Sequence, residues 1–97
     1  MSVEESIMLV LTKEGKFSEV YAKKLTNQIL DYMTKLGRDV PTHNLLWSTI
    51  AKETGLTRDG SQILANYIIE LIETGEYETE LDKILKRIRK NFIEGNE

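Results

Sequence analysis

The sequence predicts an all-α fold: one compact domain of about five helices. Apolar side chains recur at the three- and four-residue spacing of a helix along almost the whole chain. Most glycines stand where these segments end, and the one proline stands between two of them. A length of 97 residues suits a single hydrophobic core. The predicted helices span residues 2–14, 18–36, 42–54, 58–74 and 78–92.

The first predicted helix begins with a capping box, in which Ser2 is followed three residues later by Glu5. Its apolar run over residues 7–11 also fits a buried strand, and periodicity alone does not decide between the two. The cap favours a helix. The second helix follows Ser18, another capping residue, and ends at Gly37. Its apolar stripe consists of Tyr21, Leu25, Ile29, Tyr32, Met33 and Leu36.

The other three helices are bounded by similar signals. Thr42 caps the third helix, Gly55 ends it, and Gly75 ends the fourth. The third helix is expected to bury Leu45, Leu46, Trp47 and Ile50. The fourth is expected to turn inward Ile63, Leu64, Tyr67, Ile68, Leu71 and Ile72. The fifth has an acidic start and a basic end, which suit the helix dipole, and one apolar face made of Leu81, Ile84, Leu85, Ile88 and Phe92.

Composition excludes several classes of function. The chain has no Cys and one His, so disulfides, thiolate metal sites and His clusters are not available. No apolar run approaches the roughly 20 residues that a membrane span needs, and the first residues are acidic where a secretion signal would be basic. We therefore expect a cytoplasmic protein without a membrane, metal or cofactor partner, and not an enzyme.

The charge is nearly balanced but unevenly distributed. The chain has a net charge of −3, all of it from the second half, where ten acidic residues face seven basic ones. This acidity argues against a large DNA interface, although not against a small local one. The basic run over residues 83–90 could track phosphates or dock an acidic partner. It is also explained by a solvated helix end that the dipole stabilises.

The segment 50–59 indicates a function. Ala51 is followed four positions later by Gly55, and then by a Leu and by Thr57. Ala51 permits two helices to approach closely, Gly55 can adopt the left-handed conformation that ends a helix, and Thr57 can cap the next helix. This pattern resembles the turn of the helix-turn-helix superfamily of DNA-binding proteins, over about residues 45–71.

The resemblance implies that the fourth helix lays its first turns in the major groove of duplex DNA. Its outward side is predicted to comprise Arg58, Asp59, Ser61, Gln62, Ala65 and Asn66. Arg58 would contact a guanine edge, and Gln62 or Asn66 an adenine edge. Ser61 and Lys52 would contact phosphates. The predicted DNA-binding residues are Lys52, Thr57, Arg58, Ser61, Gln62 and Asn66.

Three features depart from the superfamily pattern. Asp59 repels phosphate, Gly60 weakens the first turn of the helix, and Ser61 stands where an apolar residue is usual. An alternative interpretation is that Gly55 simply joins two antiparallel helices of a bundle.

The sequence also indicates partners of the protein class. The apolar stripe of the second helix is wider than one neighbouring helix needs, which predicts a homodimer through the first and second helices. The layout from Lys16 to Gly37, followed by two short helices and a closing one, is similar to the small acidic phage anti-sigma factors of the AsiA type. That resemblance implies a protein partner in the transcription machinery.

The sequence thus predicts a small homodimeric regulator of transcription that binds DNA through a helix-turn-helix-like hairpin. The alternative is an acidic helical regulator of the anti-sigma kind, or an assembly component, that binds protein and makes no DNA contact.

Overall fold

The computed structural model describes residues 1–95, with side chains up to Phe92. Five α-helices and no strand are found in this part of the chain. Their bounds are α1 Val3–Lys13, α2 Glu19–Lys35, α3 His43–Thr54, α4 Arg58–Thr74 and α5 Glu80–Gly95. The all-α prediction is confirmed, and the apolar run over residues 7–11 is helical. The first four helices agree with their predicted limits to one residue, whereas α5 begins two residues later and ends three residues later than predicted.

The helix limits are set by local hydrogen bonds. The side chains of Ser2, Ser18, Thr42 and Thr57 each accept a hydrogen bond from the backbone N–H three residues further on, at 3.1–3.2 Å. Each bond satisfies one of the N–H groups that a helix start leaves without a partner. Gly55 and Gly75 end α3 and α4 in the left-handed conformation, with φ of 77° and 85°. The sequence signals therefore act as expected.

Helices α1 to α4 form a bundle around one core. The most extensive packing joins α3 to α4; α1 packs against α2 and α4, and α2 packs against α3. The fully buried side chains at its centre include Ile7, Leu11, Ile29, Leu46, Ile50 and Ile68. The predicted stripe of α2 is only partly buried, because Tyr21 and Leu36 are exposed at its two ends.

Helix α5 extends from this bundle and packs against no other helix among the described residues. The molecule is consequently elongated, measuring 56 × 26 × 22 Å, with a radius of gyration of 15.5 Å. A compact domain of 100 residues has a radius of gyration of about 13 Å. The apolar face of α5 is therefore left in solvent.

The connection from α4 to α5 is held against the bundle. The Tyr77 hydroxyl donates a hydrogen bond to Glu14 Oε2 at 2.6 Å, and the Tyr77 and Tyr67 rings stack at 5.4 Å between centroids. The backbone N–H of Glu80 donates to the Tyr67 hydroxyl at 3.1 Å. Burial, assisted by the bond to Glu14, raises the pKa of the Tyr77 hydroxyl far above its ordinary value, so that it remains a donor. The point at which α5 leaves the bundle is thus fixed.

None of the helices in the described part of the chain combines the length and the apolar content needed to cross a lipid bilayer.

Candidate nucleic-acid interface

The α3–α4 hairpin has a short turn with well-defined hydrogen bonds. The Gly55 N–H donates to the Ala51 carbonyl at 3.0 Å, which closes the last turn of α3. The Leu56 N–H then donates to Thr54 Oγ1 at 3.1 Å. The Thr57 hydroxyl accepts from the Gly60 N–H at 3.1 Å and so begins α4. Only three residues separate the helices, so the hairpin holds one arrangement of α4 against α3.

The structure places four predicted DNA-binding residues at the solvent surface and one partly there. Lys52, Thr57, Arg58 and Asn66 are exposed, and Gln62 is half-buried. The hydroxyl of Thr57 is already engaged as the cap of α4. Arg58, Gln62 and Asn66 occupy successive turns at four-residue spacing, which places them in one row on the helix. The hairpin therefore brings this row together at the start of α4.

The predicted phosphate contact of Ser61 is wrong, because Ser61 is completely buried. Ala65, also predicted to face outward, is buried as well. Both lie on the same helical face as Ile68, since spacings of four and seven residues return to one side of a helix. Ser61 Oγ has no hydrogen-bond partner within the described residues. The side chain thus occupies the inward position that usually holds an apolar residue.

Arg58 is oriented by aromatic packing. Its guanidinium carbon lies 5.0 Å from the centroid of the Trp47 ring, within the range of a cation–π contact. Trp47 is itself held by a hydrogen bond from its Nε1 to Asn44 Oδ1 at 2.8 Å. A guanidinium held over an aromatic ring can still offer its N–H groups to a planar acceptor. The contact therefore positions Arg58 beside the turn without using up its donors.

The electrostatics of the exposed side of α4 are mixed. Asp59 and Glu73 are exposed and Glu70 is half-buried along the helix, whereas Arg58 is its one basic residue. Ile63, predicted to point inward, is 41% exposed and lies on this side. The buried stripe of α4 is narrower than predicted, because α4 packs only against α3 and α1 among the described helices. The hairpin by itself thus supplies few cations to a phosphate backbone.

A denser set of cations lies on α5. Lys83, Lys86, Arg87, Arg89 and Lys90 are all exposed, and no acidic residue falls between the first and the last. Lys86 bonds to Glu78 at 2.6 Å, a contact that raises the pKa of its ammonium group. Within the described residues, no three His, Asp or Glu side chains are grouped so that they could hold a metal ion.

Sequence reasoning missed the solvent-exposed apolar face of α5. Its five large apolar side chains, which were expected to belong to a compact bundle, are 46–72% exposed. Helical spacing alone could not have revealed this, because an amphipathic helix has the same pattern whether its partner is its own core or another molecule.

Comparisons with protein-family models, with curated proteins and with solved structures find no match to this chain. The resemblances to helix-turn-helix proteins and to anti-sigma factors therefore stay predictions, and the site is interpreted from its own residues.

Proposed function

We propose that the chain is a small DNA-binding regulator of transcription, and that the α3–α4 hairpin is its reading unit. The observation that carries the proposal is the three-residue turn, which presents Arg58, Gln62 and Asn66 in a row at the start of α4. In helix-turn-helix proteins the first turns of the second helix enter the major groove. A row of this kind would reach successive base pairs there.

Each side chain in the row suits a definite contact. Arg58 can bond a guanine edge with two donors, and the amides of Gln62 and Asn66 can each bond an adenine edge. Lys52, on the last turn of α3, would contact a phosphate. Because Asp59 and Glu70 oppose phosphate nearby, the hairpin should make few backbone contacts. The cations of α5 would supply further phosphate contacts.

Binding to duplex DNA of random sequence at low salt, measured by gel shift or fluorescence anisotropy, tests the proposal. We expect binding at micromolar protein, since non-specific dissociation constants are typically about 1–100 μM at physiological salt and tighter below it. Arg58→Glu should weaken binding at least about fivefold, corresponding to about 1 kcal/mol or more, because it replaces a cation at the DNA interface by an anion that repels phosphate.

Lys35→Glu provides the matched control, because it reverses one exposed cation elsewhere. The Tyr21 hydroxyl bonds to the Glu53 carbonyl at 2.9 Å, so the start of α2 lies beside the end of α3. Lys35 lies near the other end of α2, about 20 Å from Tyr21 along the helix axis. Absence of binding at micromolar protein, or an equal loss with both variants, would contradict hairpin-mediated recognition.

The second candidate is an acidic helical regulator that binds protein and makes no DNA contact. It is favoured by the exposed apolar face of α5, a feature that DNA binding does not require. This candidate predicts that Arg58→Glu leaves binding to the partner protein unchanged, whereas Leu85→Asp on α5 abolishes that binding.

A further inference from the structure

We propose that α5 pairs with α5 of a second copy of this chain, in antiparallel orientation. The pairing would cover the apolar face of α5, here called the α5 stripe: Leu81, Leu85, Ile88 and Phe92, with Ile84 at its edge. The inference concerns self-association and stands independently of whether the hairpin binds DNA.

The first argument is the geometry of the α5 stripe. Its four central residues are separated by four, three and four positions. Alternating spacings of three and four keep side chains on one seam of a helix, as at the core positions of a coiled coil. Helix α5 packs against no other helix among the described residues, and Leu81, Leu85 and Ile88 are each about half exposed or more. The seam is therefore formed and accessible.

The second argument is that the stripe reads the same in both directions. Because the spacings are symmetric, an antiparallel pair places Leu85 opposite Ile88 of the partner subunit. The same register places Leu81 opposite Phe92 of the partner subunit. A twofold axis between residues 86 and 87 generates every contact twice, as an isologous interface requires. The same surface thus serves both copies.

The third argument is charge complementarity. The first turn of α5 carries two acidic residues, Glu80 and Asp82, and one basic residue, Lys83, whereas its second half carries Arg87, Arg89 and Lys90. Antiparallel pairing sets the acidic start of one helix beside the basic end of the other, with Asp82 near the partner's Arg89. Arg87 and Arg89 form no ion pair within the described residues. Parallel pairing would instead bring like charges together, which disfavours it.

The anchored start of α5 opposes a folding back of the stripe onto its own bundle. Glu80 is bonded to the Tyr67 hydroxyl, and the preceding Tyr77 is bonded to Glu14. Turning the helix onto the bundle would break the bond from Glu80. A second molecule is therefore the better cover for Leu81, Leu85 and Ile88, which are exposed here. The sequence predicted a dimer through α1 and α2. That interface would have less exposed apolar surface, because Ala22, Leu25, Ile29 and Met33 are already buried within one chain.

The interface is short, so the dimer should be weak. Stable complexes bury about 1,200–2,000 Å², and a pair of helices of this length offers less. We expect dissociation in the micromolar range of protein concentration.

Sedimentation velocity of the full chain over a concentration series tests the association. Wild type should pass from monomer to dimer, and Leu85→Asp should raise the dissociation constant at least about tenfold. Val20→Asp is the matched control, because Val20 is an apolar side chain on α2 that is 83% exposed. It should leave the dimer unchanged. A monomer at every concentration, or a dimer lost only in Val20→Asp, overturns the proposal.

Disulfide cross-linking tests the orientation, since the natural chain contains no Cys. A mixture of the Leu81→Cys and Phe92→Cys proteins should form a cross-linked dimer on oxidation, whereas Leu81→Cys alone should not. Efficient cross-linking of Leu81→Cys with itself would mean a parallel pair. Binding of a monomer to phosphatidylserine vesicles, with no self-association in solution, would identify a lipid surface as the occupant and overturn the proposal.

Discussion

Two buried serines in this protein have opposite hydrogen-bonding states. Ser61 on α4 and Ser6 on α1 are both buried. The Ser6 hydroxyl donates to the Ser2 carbonyl at 3.0 Å, whereas Ser61 Oγ has no partner within the described residues. A buried polar group without a partner costs about 1–3 kcal/mol. The same residue type should therefore respond to the same substitution with opposite sign.

We expect Ser61→Ala to raise the free energy of unfolding by about 1 kcal/mol, because it removes an unsatisfied hydroxyl and improves helix propensity. Ser6→Ala should lower it by about 0.5 kcal/mol, because the loss of a buried hydrogen bond exceeds the same gain in helix propensity. Urea denaturation of the two variants and wild type measures both changes. If the two substitutions destabilise equally, Ser61 is hydrogen-bonded in solution and the interpretation of its buried site is wrong.

At the scale of the helices, the start of α5 depends on one carboxylate. The Thr79 N–H donates to Asp82 Oδ2 at 3.0 Å, and the Asp82 N–H donates to Thr79 Oγ1 at the same distance. These bonds form a capping box. The backbone bond from Thr79, followed by that of its side chain, lowers the pKa of Asp82 below its ordinary value of 3.8.

The pH dependence of this cap follows from the lowered pKa. The folded-state pKa lies below the unfolded value, so the cap contributes fully above pH 3.8 and is lost as the pH falls through the folded pKa. The amide resonance of Thr79, followed by NMR, should titrate with a midpoint below 3.8. Asp82→Asn should abolish this titration, and Glu5→Gln in the cap of α1 should not affect it. A midpoint at or above 3.8 would show that the box is not formed.

The helix limits could be predicted from sequence because they are local. Ser2, Ser18, Thr42 and Thr57 each bond to a backbone group three residues away, so a short window contains the whole interaction. Gly55 and Gly75 likewise act at their own positions. For such features, the sequence pattern and the structural cause coincide.

The rotation of α4 was harder to predict because it depends on its neighbours. Ser61 was expected outward because it is polar, and Ile63 inward because it is apolar; the structure reverses both. The larger apolar set Leu64, Ile68 and Leu71 determines which face packs against α3 and α1, and Ser61 lies on that face. In this helix, the position of a residue relative to the main stripe decided its burial more than its own polarity did.

At the scale of the whole molecule, α5 is nearly independent of the bundle. Among the described residues, its bonds to the preceding chain include the one from Glu80 to Tyr67, the exposed ion pair from Lys86 to Glu78, and those between Asp82 and Thr79. A hydrogen bond contributes about 0.5–1.5 kcal/mol, and an exposed ion pair about 0–1 kcal/mol. Neither should be essential for folding of the other four helices.

We therefore expect a chain that ends at Thr79 to unfold cooperatively, with a loss of stability of at most about 2.5 kcal/mol. Leu46→Ala in the full chain, at a completely buried position, should cost about 2–5 kcal/mol and provides the comparison. Chemical denaturation at low protein concentration, where self-association is absent, measures both. Loss of cooperative unfolding in the shortened chain would mean that α5 packs on the bundle in solution.

The Tyr67–Tyr77 stack and the bond from Tyr77 to Glu14 have a consequence for spacing. They fix the start of α5 on the bundle, so that in an antiparallel pair the helix would set the distance between the two bundles. With the twofold axis between residues 86 and 87, the two helix starts would stand about 20 Å apart at ~1.5 Å per residue. The length of α5 would therefore determine the distance between the two α4 helices. That distance would in turn determine which positions along a DNA groove the two helices could reach together.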